Sequence, residues 1–149
     1  IPSPKVHGTV LIVDDDPVQR REVASCLART GIHVVECGHG DFVMAMIEEA
    51  TPDLVLLDIN LPGRHGDELA LDIHTRYPNT KVLLMTARSQ SMFDANAAHL
   101  PVFAVLEKPV PLRALIRFVS SAIAATRGAH WNTDAGNALE SRPLAALRN

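Results

Sequence analysis

Residues able to do chemistry recur in this chain just after short apolar runs. Asp14-Asp15-Asp16 follows the run at 10–13, and Asp58 follows the run at 54–57, ahead of Ile59-Asn60-Leu61-Pro62-Gly63. Thr86 and Ala87 follow the run at 82–85, and Lys108, one of only three lysines, comes just after the run at 102–106 and before Pro109. Carboxylates brought within a few ångströms of one another repel, and loss of hydration adds to the cost. A hard divalent cation relieves both, and magnesium in particular takes one or two carboxylates together with water and phosphate oxygens. An ammonium group and a hydroxyl beside it suit the oxygens of a phosphoryl group. The chemistry implied is phosphoryl transfer onto or off a carboxylate. Taken singly, each residue has a plainer use: Asp16 as a helix cap, Asp58 as a loop residue before a Pro-Gly turn, Thr86 as a capping hydroxyl, Lys108 as a surface lysine. Their coincidence at four such positions carries the reading.

The elements that would position them follow from periodicity. Apolar runs at 10–13, 33–36, 54–57, 82–85 and 102–106 suit strands buried on both faces of a sheet. Between them lie amphipathic stretches. Val43, Met46, Ile47 and Ala50 keep helical spacing, as do Leu112, Leu115, Ile116, Val119 and Ile123. Asp16-Pro17 is a helix start, an oxygen-bearing cap followed by proline at the first helical position. Gly31 is the matching stop. A helix around 91–100 is expected from a thin apolar stripe. The alternation predicts an α/β fold of the (βα)5 type, a doubly wound five-stranded parallel sheet of the flavodoxin-like kind with helices on both faces. In such sheets ligands bind at the carboxyl ends of the strands, where these polar residues fall. The pattern holds over 5–127 and lapses over 128–149, which reads as a tail or linker.

Composition bounds the rest. With 47% hydrophobic and 21% charged residues the chain is neither a disordered segment nor a fibre. No apolar run approaches the roughly 18 residues of a membrane span, so no membrane association is expected. Net charge is −3 and aromatics are 4%, with no basic stripe, which argues against nucleic-acid binding. Cys26 and Cys37 form no framework and read as reduced thiols. His33 and His39 lack the spacing of a zinc site.

Specific stretches carry a resemblance. Leu-Ile-Val-Asp-Asp-Asp-Pro at 11–17, Leu-Val-Leu-Leu-Asp-Ile-Asn-Leu-Pro-Gly at 54–63, Met-Thr-Ala at 85–87 and Glu-Lys-Pro at 107–109 resemble the receiver domain of two-component response regulators, over about residues 8–126. The resemblance implies that Asp58 is the phosphoacceptor. It implies that Asp15, Asp58 and the main-chain carbonyl of Asn60 hold Mg²⁺, with Asp14 acting through a water. Lys108 would contact the phosphoryl oxygens, Thr86 would hydrogen-bond one of them, and the Lys108–Pro109 bond would be cis. The donor would be a phosphohistidine on a sensor histidine kinase or a histidine phosphotransfer protein. The domain would catalyse its own phosphorylation and slow dephosphorylation rather than act as a turnover enzyme. The setting would be cytoplasmic, and the output a switched surface for a downstream protein. One departure stands out: many receivers carry an aromatic three residues before the lysine, where this chain has Val105. Phe103, two residues earlier, is expected on the same face, one pleat away.

Other readings stay open. A receiver excised from a larger DNA-binding regulator or hybrid kinase would have the same site. A haloacid-dehalogenase-like phosphatase would use Asp14 as nucleophile and Asp16 as acid, but leaves Asp58 without a role and places Pro17 where a small branched residue belongs. Gly38-His39-Gly40 lends only weak support to a cofactor-binding turn. Arg113 and Arg117, one turn apart and opposite the apolar stripe of the last helix, form either a solvated face or a charged surface for a partner or a homodimer.

Overall fold

Unbroken apolar runs form strands here because helices cover both faces of the sheet they enter. The computed structural model describes residues 7–87 and 100–131. Its strands are β1 (Thr9–Val13), β2 (His33–Cys37), β3 (Leu54–Asp58), β4 (Lys81–Ala87) and β5 (Ala104–Lys108). All pair in parallel, in the order β2-β1-β3-β4-β5. The helices are α1 (Pro17–Ala28), α2 (Val43–Ala50), α3 (Gly66–Arg76) and α4 (Leu112–Trp131), with a 3-10 turn at Gly40–Phe42. The chain first winds outward from β1 to β2, then returns to the other side of β1 to form β3. The loops after β1 and β3 therefore part from each other and leave a crevice at their carboxyl ends.

Alternation along each strand divides the core into two layers. Ile12, Leu56 and Leu83 pack with Leu27 of α1 and Leu115 and Val119 of α4. Leu11, Leu57 and Leu84 face the other way, against Ile47 of α2 and Leu69 and Ile73 of α3. The central strand β3 is buried along its whole length. The expected punctuation is present. Asp16 caps α1, its side chain accepting from the amides of Val18 (3.0 Å) and Gln19 (3.3 Å), with Pro17 in the first turn. Gly31 ends the turn after α1 with φ 96°.

Four expectations change. Thr86 and Ala87 lie within β4, and Glu107 and Lys108 within β5, where the sequence placed them beyond the strand ends. Parallel pairing continues through Thr86↔Glu107 and Ala87↔Lys108 because main-chain hydrogen bonds do not require apolar side chains. For its part, β5 begins at Ala104 rather than 102. Phe103 does not share the face of Val105: it packs in the layer beneath α1 and α4, whereas Val105 packs in the opposite layer. Phe103 precedes β5 in a bend, its amide donating to the Val82 carbonyl at 2.8 Å, so strand alternation does not yet apply to it. The last helix continues to Trp131, past the point where its apolar period lapses. The helix expected around 91–100, apart from Leu100, and the segment 132–149 lie outside the described residues.

Helix α2 ends on Thr51, which takes φ 44° and ψ 58°, a left-handed conformation uncomfortable for a β-branched residue. Thr51 is exposed. Thr51→Asn keeps a polar side chain while removing the β-branch. It is expected to raise stability by about 0.5–1 kcal/mol, read as a higher midpoint in thermal unfolding followed by circular dichroism; a lower midpoint would mean that the threonine is preferred at this cap.

Candidate functional site

Asp14 lies one residue past Val13, where β1 stops pairing with β2 and β3. Its amide donates to the Cys37 carbonyl at 3.1 Å, continuing the line of β2. Its carboxylate Oδ1 accepts from the Asp16 amide at 2.9 Å, which leaves Oδ2 facing Lys108 Nζ at 3.6 Å. Asp58 is the last residue of β3. Its Oδ1 accepts from the Asn60 amide at 3.0 Å, and its Oδ2 lies 2.7 Å from Lys108 Nζ. Lys108 is the last residue of β5 and does not neighbour β3, so its side chain crosses the end of β4 to reach Asp58. The residue it faces in register on β4 is Ala87, among the smallest available. The ammonium also donates to Gln19 Oε1 at 3.3 Å.

The acids differ in their surroundings. Asp14 and Asp58 are buried, at 2% and 6% exposure, while Asp15 is exposed. Carboxylate oxygens of all three lie within 4.8 Å of one another, the only group among the described residues so placed that it could hold a metal ion. An all-oxygen set of this kind, one edge open to water, fits a small hard cation. Burial pushes the Asp14 carboxyl above its ordinary value of 3.8; the Asp16 amide and Lys108 oppose this, and the charges of Asp58 and Asp15 add to it. Thr86, 1% exposed, lies one residue beyond Met85, which stands opposite Asp58 in the β3–β4 register. Its hydroxyl donates to the Ala87 carbonyl at 3.3 Å. The Lys108–Pro109 bond is cis.

The structure thus brings Asp14, Asp15, Asp58 and Lys108 into one cluster, with Thr86 at the adjoining register position and Asn60 tied through its amide to Asp58. Asp16 serves as the helix cap and as the donor that orients Asp14. Two residues escaped the sequence reading, Gln19 and Arg20. Both lie within the first turns of α1, where Pro17 and the cap at Asp16 set the direction of the helix; that placement was the only available signal. The loop after β3 also depends on a glycine. A Cβ at Gly66 would sit 2.6 Å from the Ile59 Cα, so the loop carrying Asn60 closes directly onto the start of α3.

Comparison with known proteins gives a consistent picture. The family model of the response regulator receiver domain matches residues 10–120. The DNA-binding transcriptional regulator NtrC of Azospirillum brasilense is 30% identical over 138 residues, which cover 92% of this chain and 29% of that protein. The chain therefore spans less than a third of the length of that relative. A CheY-like receiver domain protein from Methanospirillum hungatei JF-1 superimposes with a TM-score of 0.76 at 26% identity, covering 85% of this chain and 99% of that one. The BeF3-activated N-terminal receiver domain of RstA from Klebsiella pneumoniae gives a TM-score of 0.72 at 27% identity, covering 77% and 97%.

The raised Asp14 carboxyl makes a signed prediction. A buried acid whose folded value lies above its unfolded one penalises the folded state at high pH, and the penalty fades as the pH falls through the folded value towards 3.8. Asp14→Asn can still accept from the Asp16 amide. In metal-free buffer at neutral pH it is expected to stabilise the fold by at least about 1 kcal/mol, the repulsion of two unit charges about 4 Å apart in bulk water, which burial of Asp14 strengthens. The gain should shrink in mildly acidic buffer. Thermal melts in chelator at both pH values check this; a lower midpoint at neutral pH would mean that the Asp14 charge is needed to hold Lys108.

Proposed function

Because the chain belongs to the response regulator receiver domain family, we propose that Asp58 accepts a phosphoryl group from a phosphohistidine and that the resulting aspartyl phosphate switches a surface for a partner protein. The observation that carries this is the contact of Lys108 Nζ with Asp58 Oδ2 at 2.7 Å, at the rim of an acidic cluster. A carboxylate oxygen of Asp58 attacks phosphorus, and the bond from phosphorus to the imidazole nitrogen breaks. Its electron pair leaves with the imidazole, and a proton already carried on the other ring nitrogen of the phosphohistidine lets the group depart as neutral imidazole. The dianionic product needs positive charge, and Lys108 is already in place to supply it. Near-complete burial of Asp58 restricts water around the acyl phosphate, in keeping with slow hydrolysis. Thr86 is near enough in register to donate its hydroxyl to a phosphoryl oxygen after giving up the Ala87 carbonyl.

Asp15, Asp58 and the Asn60 carbonyl would hold Mg²⁺ directly, with Asp14 acting through a water. When bound, the ion neutralises the carboxylates and the phosphoryl oxygens together. The donor would be a sensor histidine kinase or a histidine phosphotransfer protein. One observation also favours a receiver segment of a longer DNA-binding regulator: its NtrC relative is described as DNA-binding, and this chain matches only 29% of it. Both readings share the same acceptor.

Acetyl phosphate with Mg²⁺ is expected to add one phosphoryl group that hydroxylamine removes, and mass spectrometry of the peptides should place it on Asp58. Beryllofluoride should bind at the same residue. Asp58→Asn is expected to abolish the adduct, and omission of Mg²⁺ to suppress it. An adduct on Asp14 would overturn the proposal in favour of the phosphatase chemistry.

A further inference from the structure

The Asp14 backbone is held from both sides, and the second hold comes from a residue outside the acidic cluster. Its amide is tied to β2 through Cys37 at 3.1 Å. Its carbonyl, past the last paired residues of β1, accepts from Arg20 Nη1 at 2.7 Å. The same guanidinium donates through Nε to Glu36 Oε1 of β2 at 3.1 Å, and its side chain is only 19% exposed. Gly38 leaves room for it: a Cβ there would come within 3.0 Å of Arg20 Nη1. Arg20 thus joins α1, the end of β1 and β2 at one point.

The Asp14 carbonyl belongs to the peptide plane that leads into Asp15. Fixing that oxygen fixes the plane, and with it the direction in which the Asp15 carboxylate leaves the chain relative to those of Asp14 and Asp58. We propose that Arg20 is a positioning residue for the metal-holding cluster: its planar fork, braced on Glu36, sets the relative aim of Asp14 and Asp15. This rests on the reading that the cluster holds Mg²⁺. A lysine could make one of the two contacts but not the fork.

Charge and positioning predict opposite signs, which makes the test decisive. Arg20 is a cation near a cation site, so on charge alone its removal should tighten Mg²⁺ binding. If it positions the carboxylates, removal should weaken binding by about tenfold, the scale seen when groups that orient metal ligands are lost. Titration calorimetry of Mg²⁺ into wild type, Arg20→Met and Arg20→Lys measures this, with metal-free thermal melts to show that each variant is folded. Weaker binding in Arg20→Met, and also in Arg20→Lys, which keeps the charge but loses the fork, is the expected result. Affinity unchanged or tighter in Arg20→Met overturns the proposal while leaving the receiver reading intact. If Arg20→Met does not fold, Arg20→Lys decides alone, and wild-type affinity in that variant overturns it. Wild-type protein that fails to bind Mg²⁺ overturns both.

Discussion

Everything at the carboxyl edge of this sheet depends on one ammonium group. Two buried carboxylates and a third at the surface converge there, and Lys108 is the cation that meets the buried pair, at 2.7 Å from Asp58 and 3.6 Å from Asp14. Its preference for Asp58 is built in. Both acids spend one oxygen on a backbone amide and present Oδ2 to Lys108, but Asp14 follows β1, one strand farther from β5 than the β3 strand that carries Asp58. The cluster is left short of positive charge, which suits the uptake of a cation.

That arrangement constrains the fold around it. Lys108 can reach Asp58 only by crossing the end of β4, so the crossing point must be narrow, and Ala87 makes it so. The acids must sit on adjacent strands, which the order β2-β1-β3-β4-β5 ensures by placing β1 beside β3. The loops that leave these strands are held by main-chain contacts of their own. Gly66 closes against Ile59, and the Gly40 amide donates to the Pro62 carbonyl at 3.0 Å, linking the loop after β2 to the loop after β3. The site rests on backbone geometry as much as on side chains.

The departure at Val105 has a structural setting. Val105 is half-buried in the layer shared with α2 and α3, and Phe103 belongs to the other layer. Phe103 therefore does not stand in for the aromatic that many family members carry at the position of Val105. A branched side chain with few rotamers offers little room for a large two-position swing.

Much of this protein was legible in its residues alone because the signals are local. Continuous apolar runs mark strands covered on both faces, Asp16-Pro17 marks a helix start, and the chemical types after those runs point to the proposed chemistry. The carboxylates, hydroxyl and ammonium could be assigned to one edge because a parallel sheet sends every strand the same way. Relations between elements were not legible. Periodicity says which residues of one element share a face, but not which strand lies beside which, or where pairing ends. Only the tertiary structure carried β4 and β5 through Ala87 and Lys108, turned Phe103 away from Val105, chose Asp58 as the nearer partner of Lys108, and brought Gln19 and Arg20 to the site. Each of these depends on register and approach between segments far apart in the chain, and no local pattern encodes such distances.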